Sequence, residues 1–197
     1  MKERKYELTN ETIEVNGKTL RRIKALRYVD ADCIDEVREG TLGGFIEKEE
    51  NLSHEGNCWI FDNAKVYDNA KIMGESTVHD NAEVFDNAII CEESRICGNA
   101  KVYGNAKTEQ ACIICDDAQV FGDTIFKGGD LHDDAYVSCN EDYKRFHAED
   151  LGLLITVSKS KHHNISVFIY DECCKEISVT EFINKITDKK ENIIALD

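Results

Sequence analysis

The chain has 197 residues, with 24 basic against 39 acidic ones, a formal charge of −15, nine cysteines and no proline. That charge argues against direct binding to nucleic acid or an anionic membrane, since either needs a basic face. No apolar run approaches the ~18 residues of a membrane span, and the length allows one ordinary domain or a solenoid with small ends.

The opening MKERKYELTNE is charged and has no apolar signal core, so the expectation is a cytoplasmic protein. The cysteines, odd in number and several at strand positions, read as reduced thiols rather than a disulfide framework. The N-terminal part, residues 1–55, holds two β-rich runs in ETIEVNGKTLRRIKAL around Asn16-Gly17, a strong signal for a two-residue hairpin turn. TLGGFIEKEENLSHEGNCWI then leads into a repeat and is expected to cap its open end, because an uncovered terminal strand is an exposed edge.

A six-residue period fills 56–139. From Asp62 it runs DNAKVY, DNAKIM, GESTVH, DNAEVF, DNAIIC, EESRIC, GNAKVY, GNAKTE, QACIIC, DDAQVF, preceded by GNCWIF and followed by GDTIFK, GGDLHD and DAYVSC. A hexad is too short for a helical repeat but fits one short strand and a corner, so three make a triangular coil. Position five is aliphatic from Ile60, Val66, Ile72 and Val78 to Val120 except for Thr108, and ends on Phe126, while position three is small (Ala64, Ala70, Ser76, Ala82). Two apart on a strand, they share a side and fill a narrow interior. Positions one and two, Asp or Gly then Asn, suit corners. Asn63, Asn81, Asn99 and Asp117 recur at every third hexad, on one corner of successive coils. A proline-free chain suits a body whose coils all donate backbone N–H groups.

After the repeat, residues 140–197 read as a small α+β domain. LLITVS (153–158) and ISVFIY (165–170) are two strands, and EISVTEFINKI is a short strand then a helix with Thr180 as N-cap.

Aliphatic and small positions spaced this way, with Gly or Asn between, resemble the hexapeptide repeat of left-handed parallel β-helix proteins. The resemblance supplies the hand and gives between four and five coils. KYELT, EVNGKTLRRIKALR and GTLGGFIEKEENLSHEGNCWI resemble the heads of such proteins from phages and prophages, often labelled polymer-forming or putative transferases. Many relatives of this fold are acyltransferases using acyl-CoA, with a histidine base and a projecting loop.

The candidate bases are His54, His79, His132, His147, His162 and His163, and only His79 falls inside a regular hexad, on an outward position. The outward column Tyr67, Phe85, Tyr103, Phe121, Cys139 is an aromatic ladder that can stabilise itself or bind a partner or second subunit. The column Phe61, His79, Cys97, Cys115, Asp133 carries zinc-ligand types, though side chains of a straight ladder point in parallel rather than toward one ion. Cys112 and Cys115 form a CxxC whose members point opposite ways. With no insertion in the hexads and no cofactor motif, the reading is a non-catalytic phage-type binding protein and homo-oligomer. Its acidic surface would engage a protein partner such as a bacterial defence nuclease or effector complex, in the manner of an anti-CRISPR inhibitor. The alternative is a hexapeptide-repeat acyltransferase using acyl-CoA.

Overall fold

The structure is a computed structural model that describes residues 4–31, 36–148, 153–162, 165–171 and Ser178. Strands β1 (Tyr6–Val15) and β2 (Lys18–Ala25) form an antiparallel hairpin. Asn16 and Gly17 both have positive φ, at 51° and 76°, the backbone of the tight turn that matches strand twist. Strand β3 (Leu42–Ile46) pairs antiparallel with β2 and parallel with Lys65–Val66. The hairpin thus extends one wall of a parallel β-solenoid of about five turns, and coil pairing begins at Phe45, well before the first clear hexad. Gly44 permits the join, because a Cβ there would lie 2.4 Å from the Ile60 side chain and 2.5 Å from Ala64 O.

Each regular hexad contributes a two-residue strand. One wall stacks Phe45–Ile46, Lys65–Val66, Glu83–Val84, Lys101–Val102, Gln119–Val120 and Tyr136–Val137 in register. The second stacks Trp59–Ile60, Thr77–Val78, Arg95–Ile96 and Ile113–Ile114, and the third Lys71–Ile72 with Ile89–Ile90. Position five and position three residues, from Ile60 and Ala64 to Val120 and Ala118, are buried in one core. Rung hydrogen bonds such as Asn63 N to Asp80 O (3.0 Å) and Lys65 N to Ala82 O (2.9 Å) tie each coil to the next. At the expected corner Asn99 Nδ2 donates to Asp117 Oδ1 at 3.2 Å, and at the next Asn69 Nδ2 donates to Asn87 Oδ1 at 3.1 Å and Asn105 Nδ2 to Asp123 Oδ1 at 2.8 Å.

The period fails once. Glu109 pairs with Lys127, three full hexads on, but Cys112 pairs with Gly129 and Ile114 with Leu131, each one residue short of three hexads. Gly128 and Gly129, at φ 65° and 93°, turn their corner in one residue fewer. From there every residue sits one position away from its place in a strict six-residue register.

The first open end is closed by Lys5 and Tyr6. Lys5 Nζ donates to Cys58 O at 2.7 Å and lies 3.2 Å from Cys58 Sγ, and Tyr6 Oη lies 2.9 Å from both Glu49 O and Leu52 O. At the other end stands an antiparallel sheet of β4 (Tyr143–Ala148), β5 (Leu153–Lys159) and β6 (Ile165–Asp171). The two anticipated strands are β5 and β6, and β4 is an addition. The expected helix after Thr180 lies outside the described residues, as do Cys173 and Cys174. Among the described residues no helix is long and apolar enough to cross a membrane.

Candidate functional site

The aromatic column forms as a stack. Ring centroids are 5.1 Å apart for Tyr67–Phe85, 4.9 Å for Phe85–Tyr103 and 4.9 Å for Tyr103–Phe121, with near-parallel planes. It is not a uniformly open stripe. Tyr67 is 2% exposed beneath the hairpin, packed with Leu20 and Phe45. Its hydroxyl is pushed up to about 12, by burial first and then by Glu83. Phe85 packs against that same cluster, and Phe85, Tyr103 and Phe121 stay half-buried. The column then ends differently from the expectation. The shortened coil aligns Ser138 rather than Cys139 with Phe121, and Tyr136 packs edge-on to Phe121 at 4.7 Å.

The second column departs further. His79 stacks flat on Phe61, centroids 4.4 Å apart, and is 5% exposed. It is therefore covered, and not the solvent-facing base that its hexad position suggests. Cys97 and Cys115, one coil apart with Cα atoms separated by 4.6 Å, are joined in a disulfide, so these two are not the reduced thiols expected of all nine. Parallel rungs bring equivalent side chains within disulfide reach without backbone movement. The next place in the column belongs to His132, not Asp133, because Ile114 pairs with Leu131. Asp133 moves to the corner, where its N–H donates to Asp116 Oδ2 at 3.1 Å. Among the described residues no three His, Cys, Asp or Glu side chains converge on one metal position. In the CxxC, Cys112 is buried and Cys115 faces outward, as alternation requires.

The other histidines divide clearly. His54 stacks on Tyr6 at 4.4 Å and accepts from Lys5 N at 3.2 Å, a structural role in the cap. Burial, ahead of nearby charges, lowers its imidazole pKa. His162 is exposed, with Nε2 3.9 Å from Asp134 Oδ2. His163 lies outside the described residues, and so does the side chain of His147. His132 remains, half-exposed, with Nδ1 3.5 Å from Asp116 Oδ2 and its ring 5.2 Å from Phe168 of β6.

Around His132 the last coil meets the C-terminal sheet. Gly128 and Gly129 allow the approach, since a Cβ would lie 2.2 Å from Arg145 Nη1 at the first and 2.8 Å from Thr156 Oγ1 at the second. Asp130 N lies 3.4 Å from that Thr156 hydroxyl. The Asp130 carboxyl is raised by burial, and His132 and Arg145 act against the rise. An imidazole oriented at Nδ1 by a carboxylate can take a proton from a nucleophile at Nε2. A strict six-residue register hides this pair, because it assigns His132 to position five. The glycine pair was the one sequence signal that the corner shortens there.

No protein-family model matches the chain. A stretch of 80 residues is 34% identical to "Uncharacterized acetyltransferase YdcK" of Escherichia coli strain K12, covering 38% of this chain and 24% of that protein. The chain therefore spans about a quarter of that relative's length. The β-solenoid and this match fit a hexapeptide-repeat protein.

Proposed function

We propose that this chain is an acyltransferase of the hexapeptide-repeat type, built on a left-handed coil, with His132 as general base. One observation carries the reading: His132 Nδ1 stands 3.5 Å from Asp116 Oδ2 where the last coil meets the C-terminal sheet. The similarity to a protein named as an acetyltransferase supports it. An acyl-CoA donor supplies an activated thioester. His132 takes the proton of an acceptor hydroxyl or amine as that group attacks, and the imidazolium returns it to the departing thiol. Asp116 stands beside the ring at Nδ1 and fixes which nitrogen faces the acceptor. Arg145, whose guanidinium packs at Gly128, and Lys161, whose backbone N–H donates to Asp134 O, provide cations at this end of an otherwise acidic chain, the charge that donor phosphates require.

The test is acyl transfer from acetyl-CoA to a panel of small amines and alcohols, followed as free thiol. Wild type should turn over, His132→Ala should lose ~100-fold or more, and Asp116→Asn should lose less. Calorimetry showing no binding of acetyl-CoA would end the proposal.

A second reading has its own observation, the half-buried stack of Phe85, Tyr103 and Phe121 beside the hairpin. It makes the chain a binding protein of phage type acting in the host cytoplasm, as a homo-oligomer or on a protein partner. An acidic chain of this charge suits a site that normally takes nucleic acid, such as a bacterial defence complex. Co-purification from a defence-positive host discriminates, with enrichment of a nuclease or effector complex expected and an empty pull-down counting against it.

A further inference from the structure

We propose that Cys97 and Cys115 form a thiol–disulfide exchange site, a dithiol that opens and closes within the intact coil with low-molecular-weight thiols as its partner. The inference goes beyond acyl transfer and does not rest on it.

The first argument is geometric. The two Cα atoms are 4.6 Å apart, and that spacing is set by the ladder rather than by sulfur. Cys97 N donates to Ile114 O at 2.9 Å, Asn99 N to Asp116 O at 2.8 Å and Cys115 N to Leu131 O at 2.9 Å. The rungs on either side hold the two cysteines at this spacing independently of the sulfur bond. Breaking the bond releases no chain, and re-forming it needs no search.

Access is the second. Cys97 and Cys115 are half-exposed on the outer face, whereas Cys58 and Cys112 are free and buried. Burial pushes the Cys112 thiol up to about 11, which leaves it inert at neutral pH. Cys91 and Cys139 are half-exposed and free, but neither has a cysteine in the next rung. One bond amid four free cysteines, among the described residues, is not a scaffold of disulfides.

The third argument is the neighbours. The pair lies in a row between two imidazoles, His79 on the rung before Cys97 and His132 on the rung after Cys115. A donor beside a departing sulfur favours its thiolate; His132 next to Cys115 is half-exposed, whereas His79 next to Cys97 is buried against Phe61. Cys115 is thus the better leaving sulfur. An external thiolate attacks Cys97 Sγ, the S–S bond breaks, and its electron pair departs on Cys115 Sγ. A second thiolate attacks the external sulfur of the mixed disulfide and releases Cys97. In sum, one protein disulfide and two thiols give two protein thiols and one external disulfide, with both protons retained.

The experiment equilibrates the folded full chain in glutathione buffers of stepped reduced-to-oxidised ratio, traps thiols by alkylation and counts labels by mass. The expected result is two extra labels on reduction, lost again on reoxidation, with the far-UV spectrum unchanged. Cys97→Ser and Cys115→Ser should each abolish the transition. His132→Gln should slow opening by ~3–10-fold, the loss expected for a poorer leaving thiolate. Opening only in denaturant would make the bond a buried staple and overturn the proposal. Failure of the folded, oxidised chain to form the bond would overturn it equally. An unchanged opening rate in His132→Gln would overturn the assignment of Cys115 as leaving sulfur.

Discussion

Cys115 and His132 stand side by side on one outer face although their spacing in the chain falls one short of three hexads. Gly128 and Gly129 create that neighbourhood by turning their corner a residue early. Gly129 has φ of 93°, and an added Cβ would lie 2.8 Å from Thr156 Oγ1. Gly129→Ala should therefore destabilise the protein by ~1–2 kcal/mol through left-handed strain alone, with more where β5 must shift. Chemical denaturation measures it, and a denaturation midpoint equal to that of wild type would mean the corner is not constrained as described.

The corner amides offer a smaller effect. Asn87 accepts from Asn69 Nδ2 at 3.1 Å and donates to Asn105 Oδ1 at 3.0 Å, in an exposed ladder that ends on Asp123. Asn87→Ala breaks two links, and at ~0.5–1 kcal/mol for each exposed neutral bond the loss should be about 1–2 kcal/mol. Adding Asn105→Ala should give less than the sum of the singles, because the Asn87–Asn105 bond is shared. Strict additivity in thermal unfolding would refute the ladder as a coupled unit.

The core was legible in the sequence because its cause is local: position five and position three recur on one side of each strand, and no other packing satisfies that period. The hairpin was legible at Asn16-Gly17 for the same reason. The candidate site was not. His132 becomes a neighbour of Cys115 and Asp116 through a one-residue shortening, and Phe168 reaches it from β6, a strand that lies beyond the hexads altogether. Burial of His79 and Tyr67 depends likewise on what covers them, and outward alternation says nothing about covering elements.

Asp142 ties the solenoid to the terminal sheet and makes stability depend on pH. Burial alone would raise its carboxyl, but Lys159 of β5, the Ser138 hydroxyl at 2.6 Å and the Ser138 N–H at 2.9 Å outweigh it and hold the group well below the usual carboxylate range. With the folded value depressed, the stabilisation is full above the unfolded value of ~3.9 and is lost as pH falls below it. Asp142→Asn should lower stability by ~1–3 kcal/mol at neutral pH, the range for hydrogen bonds to a charged group. The gap from wild type should narrow as the pH drops from about 4. Unfolding curves at several pH values test this, and a constant gap would show that the carboxylate charge contributes nothing.

The aromatic stack separates an internal ladder from an interface. Tyr103 and Phe121 lie beyond the hairpin and are half-buried, and their rings pack 4.9 Å apart. Serine at both positions removes one stacked pair and half of two others, so stability should fall by ~1–3 kcal/mol whichever role holds. Association gives the discriminating reading. If the stack is an interface, Tyr103→Ser with Phe121→Ser should lower the sedimentation mass or abolish partner capture at temperatures well below unfolding. Tyr67→Phe serves as control, since that ring is already covered by Leu20 and Phe45 and should leave association unchanged. Loss of stability with oligomeric state and partner capture intact would make the stack an internal ladder only.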